Sequence, residues 1–160
     1  FNELQKIENY CKNGNKLNFE IVAKLTNIYE NHSISELIDN CLAKNKNKIL
    51  TILNENNFSN DDCIIITRIF LSKLKRILVL SDNYQKNKNI DLTINYAKPA
   101  IFWKDKEITK QQIVQWSPGN IKKLMYKLNE LELLVKKNFN SPINLVTNFI
   151  LEQSSYKISN

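Results

Sequence analysis

The chain has 160 residues, of which 42% are hydrophobic and 24% charged, and its formal net charge at pH 7 is +7. This length and composition suit one ordinary globular domain with a small appended unit, and they argue against disorder. The chain has two glycines, Gly14 and Gly119, and one histidine. It cannot carry a G-x-G-x-x-G loop, which needs three glycines, a G-x-x-x-x-G-K-[ST] loop, which needs two glycines five residues apart, or a multi-histidine metal site. We therefore expect no catalytic, cofactor-binding or metal-binding set.

Two short helices are predicted at the start of the chain. Apolar residues recur at helical spacing over residues 2–11, and Gly14 can supply the left-handed residue that ends a helix. A second helix begins near Asn18. The polar stretch Thr26–His32 follows and is interpreted as a linker, with Ser33–Glu36 as a capping box that opens the next helix.

This pattern predicts a division of the chain into three parts. Residues 1–30 would form a small helical unit, residues 31–155 the main domain and residues 156–160 a tail. The main domain begins with the helix after the capping box and a second short helix around Ile49–Leu53.

The longest apolar segment follows Asn60, which is predicted to cap a helix. Asp61 and Asp62 come next, and we interpret them as first-turn carboxylates that favour the helix terminus rather than as catalytic groups. Apolar residues up to Leu80 cover more than half of the helix circumference, so this helix should be a central post surrounded by neighbours. Both arginines of the chain fall in its polar strip, which comprises Arg68, Ser72, Lys75 and Arg76.

Four more helical segments are predicted after a polar stretch at Asp82–Asn89. A short helix at 91–96 stops before Pro99, and another follows at 105–116. Ser117-Pro118 and Ser141-Pro142 each combine a capping serine with a first-turn proline, and each should open a further helix. The sequence therefore predicts an all-α bundle of about seven to nine helices, counted from apolar periodicity.

The three cysteines, Cys11, Cys41 and Cys63, are far apart and form no C-x-x-C pair. This spacing is typical of free thiols in a reducing compartment. Because the chain also lacks a leader pattern and an apolar run long enough for a membrane span, we expect a cytoplasmic protein.

Three short motifs, in this order and spacing, resemble the C-terminal part of the bacterial DNA polymerase III delta subunit. They are the segment Lys98–Lys104 (KPAIFWK), the pairs Gln111-Gln112 and Trp116-Ser117, and the pattern Leu128-x-x-Leu131-Glu132 with Lys136. Ser35–Leu42 resembles the opening of that family's third domain, and Asn2–Leu25 resembles the end of its second, lid domain. Ala100 departs from the family pattern, in which a second proline is frequent.

The resemblance implies a non-catalytic subunit of the clamp loader, which places the sliding clamp on primed DNA. In this family the helical C-terminal domain forms a collar with the delta prime and tau/gamma subunits, other subunits hydrolyse ATP, and a further N-terminal domain contacts the clamp. The resemblance implies that residues 1–30 are the end of the lid and residues 31–155 the collar domain. No cofactor, metal or membrane is implied.

Candidate interface residues for partner subunits are Phe102, Trp103, Lys104 and Trp116. Phe102 and Trp116 have an alternative interpretation as core anchors, because large aromatics that bracket a short helix usually fix its packing. For Trp103 the interface and core interpretations stay equally open.

Direct nucleic-acid binding is a second hypothesis. A tryptophan would stack on a base, and basic residues of the C-terminal half, where basic residues predominate, would contact the nucleic acid. These residues are Lys98, Lys104, Lys106, Lys110, Lys122, Lys123 and Lys127. The alternative is that these lysines are an ordinary solvated face.

A third hypothesis, an unrecognised hydrolase or transferase, would need His32 or the Asp61 and Asp62 pair in a pocket. For His32 we expect a structural or solvated role.

Overall fold

A computed structural model describes residues 2–25, 28–137 and 140–155. Every regular element in these ranges is helical, which confirms the all-α prediction. The chain divides into two compact units, residues 1–34 and 35–160, whereas the sequence suggested a boundary after residue 30. The predicted tail, residues 156–160, lies outside the described residues.

The first unit contains α1 (Asn2–Lys12), α2 (Phe19–Leu25) and the beginning of α3 (Ile28–Leu42). As predicted, Gly14 lies in the turn that terminates α1: its φ of +79° is left-handed and its N–H donates to the Cys11 carbonyl at 3.0 Å. The Asn18 side chain begins α2 by accepting a hydrogen bond of 2.8 Å from the Ile21 N–H.

The predicted linker and capping box are wrong. Residues 28–32 of the supposed linker are helical, and residues 26 and 27 lie outside the described part of the chain. Ser33 therefore lies within α3 rather than at its start. A helix that already runs from Ile28 supplies carbonyl partners for the backbone N–H groups of Ser33–Glu36, so no side-chain cap is required there.

The second unit continues with six α-helices and one short 3-10 turn. They are α4 (Lys46–Glu55), α5 (Asp62–Asn87), α6 (Ile90–Asn95), the 3-10 turn (Trp103–Asp105), α7 (Lys106–Gln115), α8 (Pro118–Lys137) and α9 (Pro142–Ser155). Helix α5 packs against α6, α7, α8 and α9, which confirms the predicted central post. Its side chains Phe70, Leu74 and Ile77 are buried, and the Phe70 and Phe149 rings meet edge to face at 5.9 Å.

Both ends of α5 differ from the prediction. The helix continues through the supposed polar stretch to Asn87, because Ser81 is buried and Tyr84 packs on a core cluster. At the other end the Asp62 carboxylate accepts hydrogen bonds from the N–H and hydroxyl of Ser59, at 2.7 and 2.8 Å. Asn60 does not cap α5; its Oδ1 accepts from the Ile143 N–H at the start of α9, at 3.4 Å.

Across the described residues, no helix combines the length and the apolar character that crossing a membrane requires.

Candidate functional site

The turn between α6 and α7 presents two large aromatic side chains to solvent. Phe102 is 57% exposed and Trp103 67% exposed, and their ring centroids are 5.7 Å apart. The Lys104 ammonium lies 5.3 Å from the Trp103 ring centroid, within cation–π range. We call Phe102, Trp103 and Lys104 the aromatic ridge. Because Phe102 is exposed, its interpretation as a core anchor is wrong.

The local sequence explains why the ridge points outward. Ile101, directly before it, is buried in a cluster with Leu80, Ile94 and Ile113, and it fixes the segment to the bundle. The following residues turn into a 3-10 helix, in which the Asp105 N–H donates to the Phe102 carbonyl at 2.9 Å. The buried isoleucine therefore holds the two aromatic side chains after it at the surface.

Trp116 lies in the core and not at the surface. It is 4% exposed, its indole N–H donates to the Leu42 carbonyl at 2.7 Å, and its own carbonyl accepts from the Ser81 hydroxyl at 2.8 Å. The Lys44 ammonium lies 5.0 Å from the ring centroid. The geometry supports the core-anchor interpretation of Trp116, and a partner cannot reach this side chain in the folded domain.

The seven candidate DNA-contact lysines do not form one continuous strip. Lys98, Lys104, Lys106 and Lys110 lie on or before α7, while Lys122, Lys123 and Lys127 lie on α8. Within the described part of the chain, α7 and α8 each pack on α5 but not on each other.

Lys106 and Lys110 form polar contacts with neighbouring side chains of the same molecule. Lys106 donates to the Asn95 side chain at 3.0 Å, and Lys110 pairs with Asp91 at 2.9 Å and with Glu107 at 3.0 Å. These hydrogen bonds, first that of Asp91, raise the pKa of Lys110. The positive charge of Lys110 is thus offset by two carboxylates of the same molecule. The side chains of Lys98, Lys104, Lys122, Lys123 and Lys127 are exposed.

A groove of about 610 Å³ runs beside α5 and is lined on its other side by Ala97, Lys98 and Pro99. We call it the α5 groove. Arg76 links the two sides, because its Nη2 donates to the carbonyls of Pro99 and Ala100 at 3.3 and 3.4 Å. Three residues of the polar strip seen in the sequence, Ser72, Lys75 and Arg76, line the groove. Sequence analysis missed its second side, since only the folded chain brings Pro99 to Arg76.

A polar cluster that shares Lys73 with this groove is structural. The Asp39 carboxylate pairs with the Lys73 ammonium at 2.7 Å, and the Gln112 amide donates to the Asp39 carbonyl at 3.0 Å and carboxylate at 3.1 Å. A cavity of about 50 Å³ adjoins it. Because Asp39 already accepts bonds from both partners, this cluster connects α3, α5 and α7.

The other candidates for chemistry are dispersed. Asp62 is occupied by its bonds to Ser59, Asp61 is exposed, and His32 is an exposed residue of the first unit. Among the described residues, no group of three or more His, Cys, Asp or Glu side chains is arranged to hold a metal ion.

Comparison with family models, with curated proteins and with solved structures finds no match to this chain.

Proposed function

We propose that this chain is the lid end and collar domain of a clamp-loader delta subunit, which joins the delta prime and tau/gamma subunits during DNA replication in the cytoplasm. The order of motifs from Asn2 to Lys136 is the basis of the family assignment, and a helical bundle is compatible with it. In this proposal the chain binds neighbouring subunits, other subunits hydrolyse ATP, the sliding clamp is reached through a separate N-terminal domain, and primed DNA lies nearby.

The observation that carries the proposal is the aromatic ridge. Burial of a large aromatic side chain stabilises a protein by about 1.5–3 kcal/mol. Two adjacent exposed rings therefore leave a substantial part of the available hydrophobic stabilisation unused. Tryptophan is among the residues that contribute most at protein interfaces, where it is desolvated at the centre of the contact. Binding of a partner over Phe102 and Trp103 would recover that free energy.

Size-exclusion chromatography of this chain mixed with the delta prime and tau/gamma subunits tests the proposal. We expect the unsubstituted chain to co-elute with its partners and the Phe102→Ala/Trp103→Ala double variant to bind about tenfold to a hundredfold more weakly, as for an interface hot spot. Tyr126→Ala, which truncates another exposed aromatic residue on α8, is the matched control and should bind normally.

Two results would contradict this proposal. Failure of the unsubstituted chain to form any complex would remove the clamp-loader assignment. Unchanged binding by the double variant would show that the interface lies elsewhere. Circular dichroism of each variant verifies that the helical content is retained.

A second candidate function is direct binding of nucleic acid by this basic domain. It is favoured by the exposed lysines Lys98 and Lys104 on either side of the exposed Trp103, a combination suited to phosphate contact and base stacking. Fluorescence anisotropy with a labelled single-stranded oligonucleotide should then show affinity that falls steeply with added salt, because phosphate contacts release counterions. A shallow salt dependence would exclude this function.

A further inference from the structure

The α5 groove combines an apolar lining with positive charge. Ile69 and Leu80 contribute half-buried and buried side chains, and Val79 is 55% exposed although it is apolar. The charged residues that line the groove are all cations, namely Lys73, Lys75, Arg76 and Lys98. An occupant of this groove must therefore offer both apolar and anionic groups.

The cations differ in how far they are already engaged. Lys73 is paired with the Asp39 carboxylate, whereas Arg76 donates to two backbone carbonyls, which carry no negative charge. Within the described residues, Lys75 and Lys98 have neither an ion-pair nor a hydrogen-bond partner, and both are exposed. They lie on opposite sides of the groove, so an anionic occupant would be held from both sides.

The dimensions of the groove fit a helical segment. Its lining residues on α5 run from Ile69 to Asn83 at steps of three and four, which places them on one face of the helix. At 1.5 Å per residue this face is about 21 Å long, the length of a helix of about four turns. A helix that lies in a groove is anchored by apolar residues at the same three- and four-residue spacing.

We propose that the α5 groove binds an acidic amphipathic helix of a partner protein, with apolar anchors over Val79 and Ile69 and carboxylates that pair with Lys75 and Lys98. The inference extends the proposed function, since it assumes an interaction domain and adds a second docking surface with its partner chemistry. Nucleic acid is less suited to the site, because the apolar floor offers phosphates no partner.

Fluorescence anisotropy with the full chain and two labelled synthetic peptides tests this inference. One peptide is a four-turn helix with leucines on one face and glutamates flanking them, and in the other every glutamate is replaced by glutamine. We expect the acidic peptide to bind at least about tenfold more tightly, because opposite charges across an interface add to both association rate and affinity.

Variants localise the binding. Lys75→Glu/Lys98→Glu and, separately, Val79→Asp should each weaken binding of the acidic peptide by about tenfold or more, since they reverse the charge or interrupt the apolar floor. Lys123→Glu, an exposed mid-helix lysine of α8 outside the groove, is the matched control and should bind as the unsubstituted chain does. Circular dichroism verifies that each variant is folded.

Four outcomes would overturn the inference: no binding of the acidic peptide, equal binding of the glutamine peptide, equal loss of binding in Lys123→Glu, or displacement of the peptide by a single-stranded oligonucleotide whose binding needs Lys75 and Lys98. The last outcome would make the groove a nucleic-acid site. None of them affects the complex with delta prime and tau/gamma, which is measured separately and depends on the aromatic ridge.

Discussion

Trp116 is a buried residue that makes three different kinds of contact in the main unit. Its indole N–H donates to the last residue of α3, its carbonyl accepts from the Ser81 hydroxyl on α5, and its ring faces the Lys44 ammonium. The residue thus connects two helices through both its side chain and its backbone. A large amphipathic side chain is needed, since the ring fills core volume while its edge satisfies a carbonyl.

We predict that Trp116→Phe lowers the free energy of unfolding by about 2–4 kcal/mol, because it leaves the Leu42 carbonyl without its donor and removes ring volume from the core. Urea unfolding followed by circular dichroism measures this change. Trp103→Phe is the control: at this exposed position the loss should stay within about 0.5 kcal/mol. Equal losses in the two variants would contradict the assignment of Trp116 to the core.

Cys41 links stability to pH. Its thiol is buried, donates to the Ile150 carbonyl at 3.5 Å, and has a pKa raised by burial from 9.0 to about 12, with Lys44 opposing the shift. Because the folded pKa is the higher one, the folded protein retains this proton more strongly than the unfolded chain. The resulting stability is complete below about pH 9 and is lost as the pH rises from about 9 to about 12.

We therefore predict that the free energy of unfolding falls between about pH 8 and about pH 10.5, and that Cys41→Ala shows a shallower fall, because it lacks the titrating thiol. Urea titrations at the two pH values measure the slope. Cys11→Ala, at an exposed cysteine, should keep the slope of the unsubstituted protein. An unaltered slope in Cys41→Ala would show that other groups account for the pH dependence.

At the scale of single elements, the two helix starts marked by a serine followed by a proline were predictable, whereas the capping box at Ser33, the Asn60 cap and the length of α5 were predicted wrongly. Ser117 caps α8 as expected, since its hydroxyl accepts from the Asn120 N–H at 3.3 Å, and Pro118 is the first helical residue. The end of α5 was predicted too early because Asp82–Asn89 is polar. Burial of Ser81 against Trp116, a residue far along the chain, extends the helix, and no local pattern contains that information.

Gly119 in the first turn of α8 offers a direct stability test. Its φ is not left-handed, and a Cβ built at this position meets no atom within 4 Å. Gly119→Ala should therefore raise the free energy of unfolding by about 0.5–1 kcal/mol, through higher helix propensity and a less flexible unfolded chain. Thermal unfolding followed by circular dichroism measures the gain.

Gly14→Ala provides the contrasting variant for that measurement. Gly14 has a φ of +79°, so an added Cβ should destabilise its turn by about 1 kcal/mol. A loss of stability in Gly119→Ala would indicate that α8 begins with a conformation that requires glycine.

For the whole molecule, periodicity was sufficient to predict an all-helical bundle around a central post, because apolar spacing along α5 already requires neighbours on several sides. The surfaces were harder to predict. Phe102 and Trp116 are both large aromatic residues that bracket the short helix α7, yet one is exposed and the other buried. Likewise, the second side of the α5 groove depends on a contact between Arg76 and Pro99. Local sequence patterns do not indicate contacts between residues so far apart in the chain.

The cluster of Asp39, Lys73 and Gln112 has a consequence for how this protein can diverge during evolution. The three positions lie on different helices and depend on one another, because a lone Asp39→Ala exchange would leave the Lys73 ammonium without its carboxylate and the Gln112 amide with only the backbone carbonyl of residue 39 as acceptor. Drift at any one of them is therefore constrained by the other two. In an alignment of descendants of the same ancestor, positions 39, 73 and 112 should vary together, most often as a joint exchange of the ion pair for apolar residues.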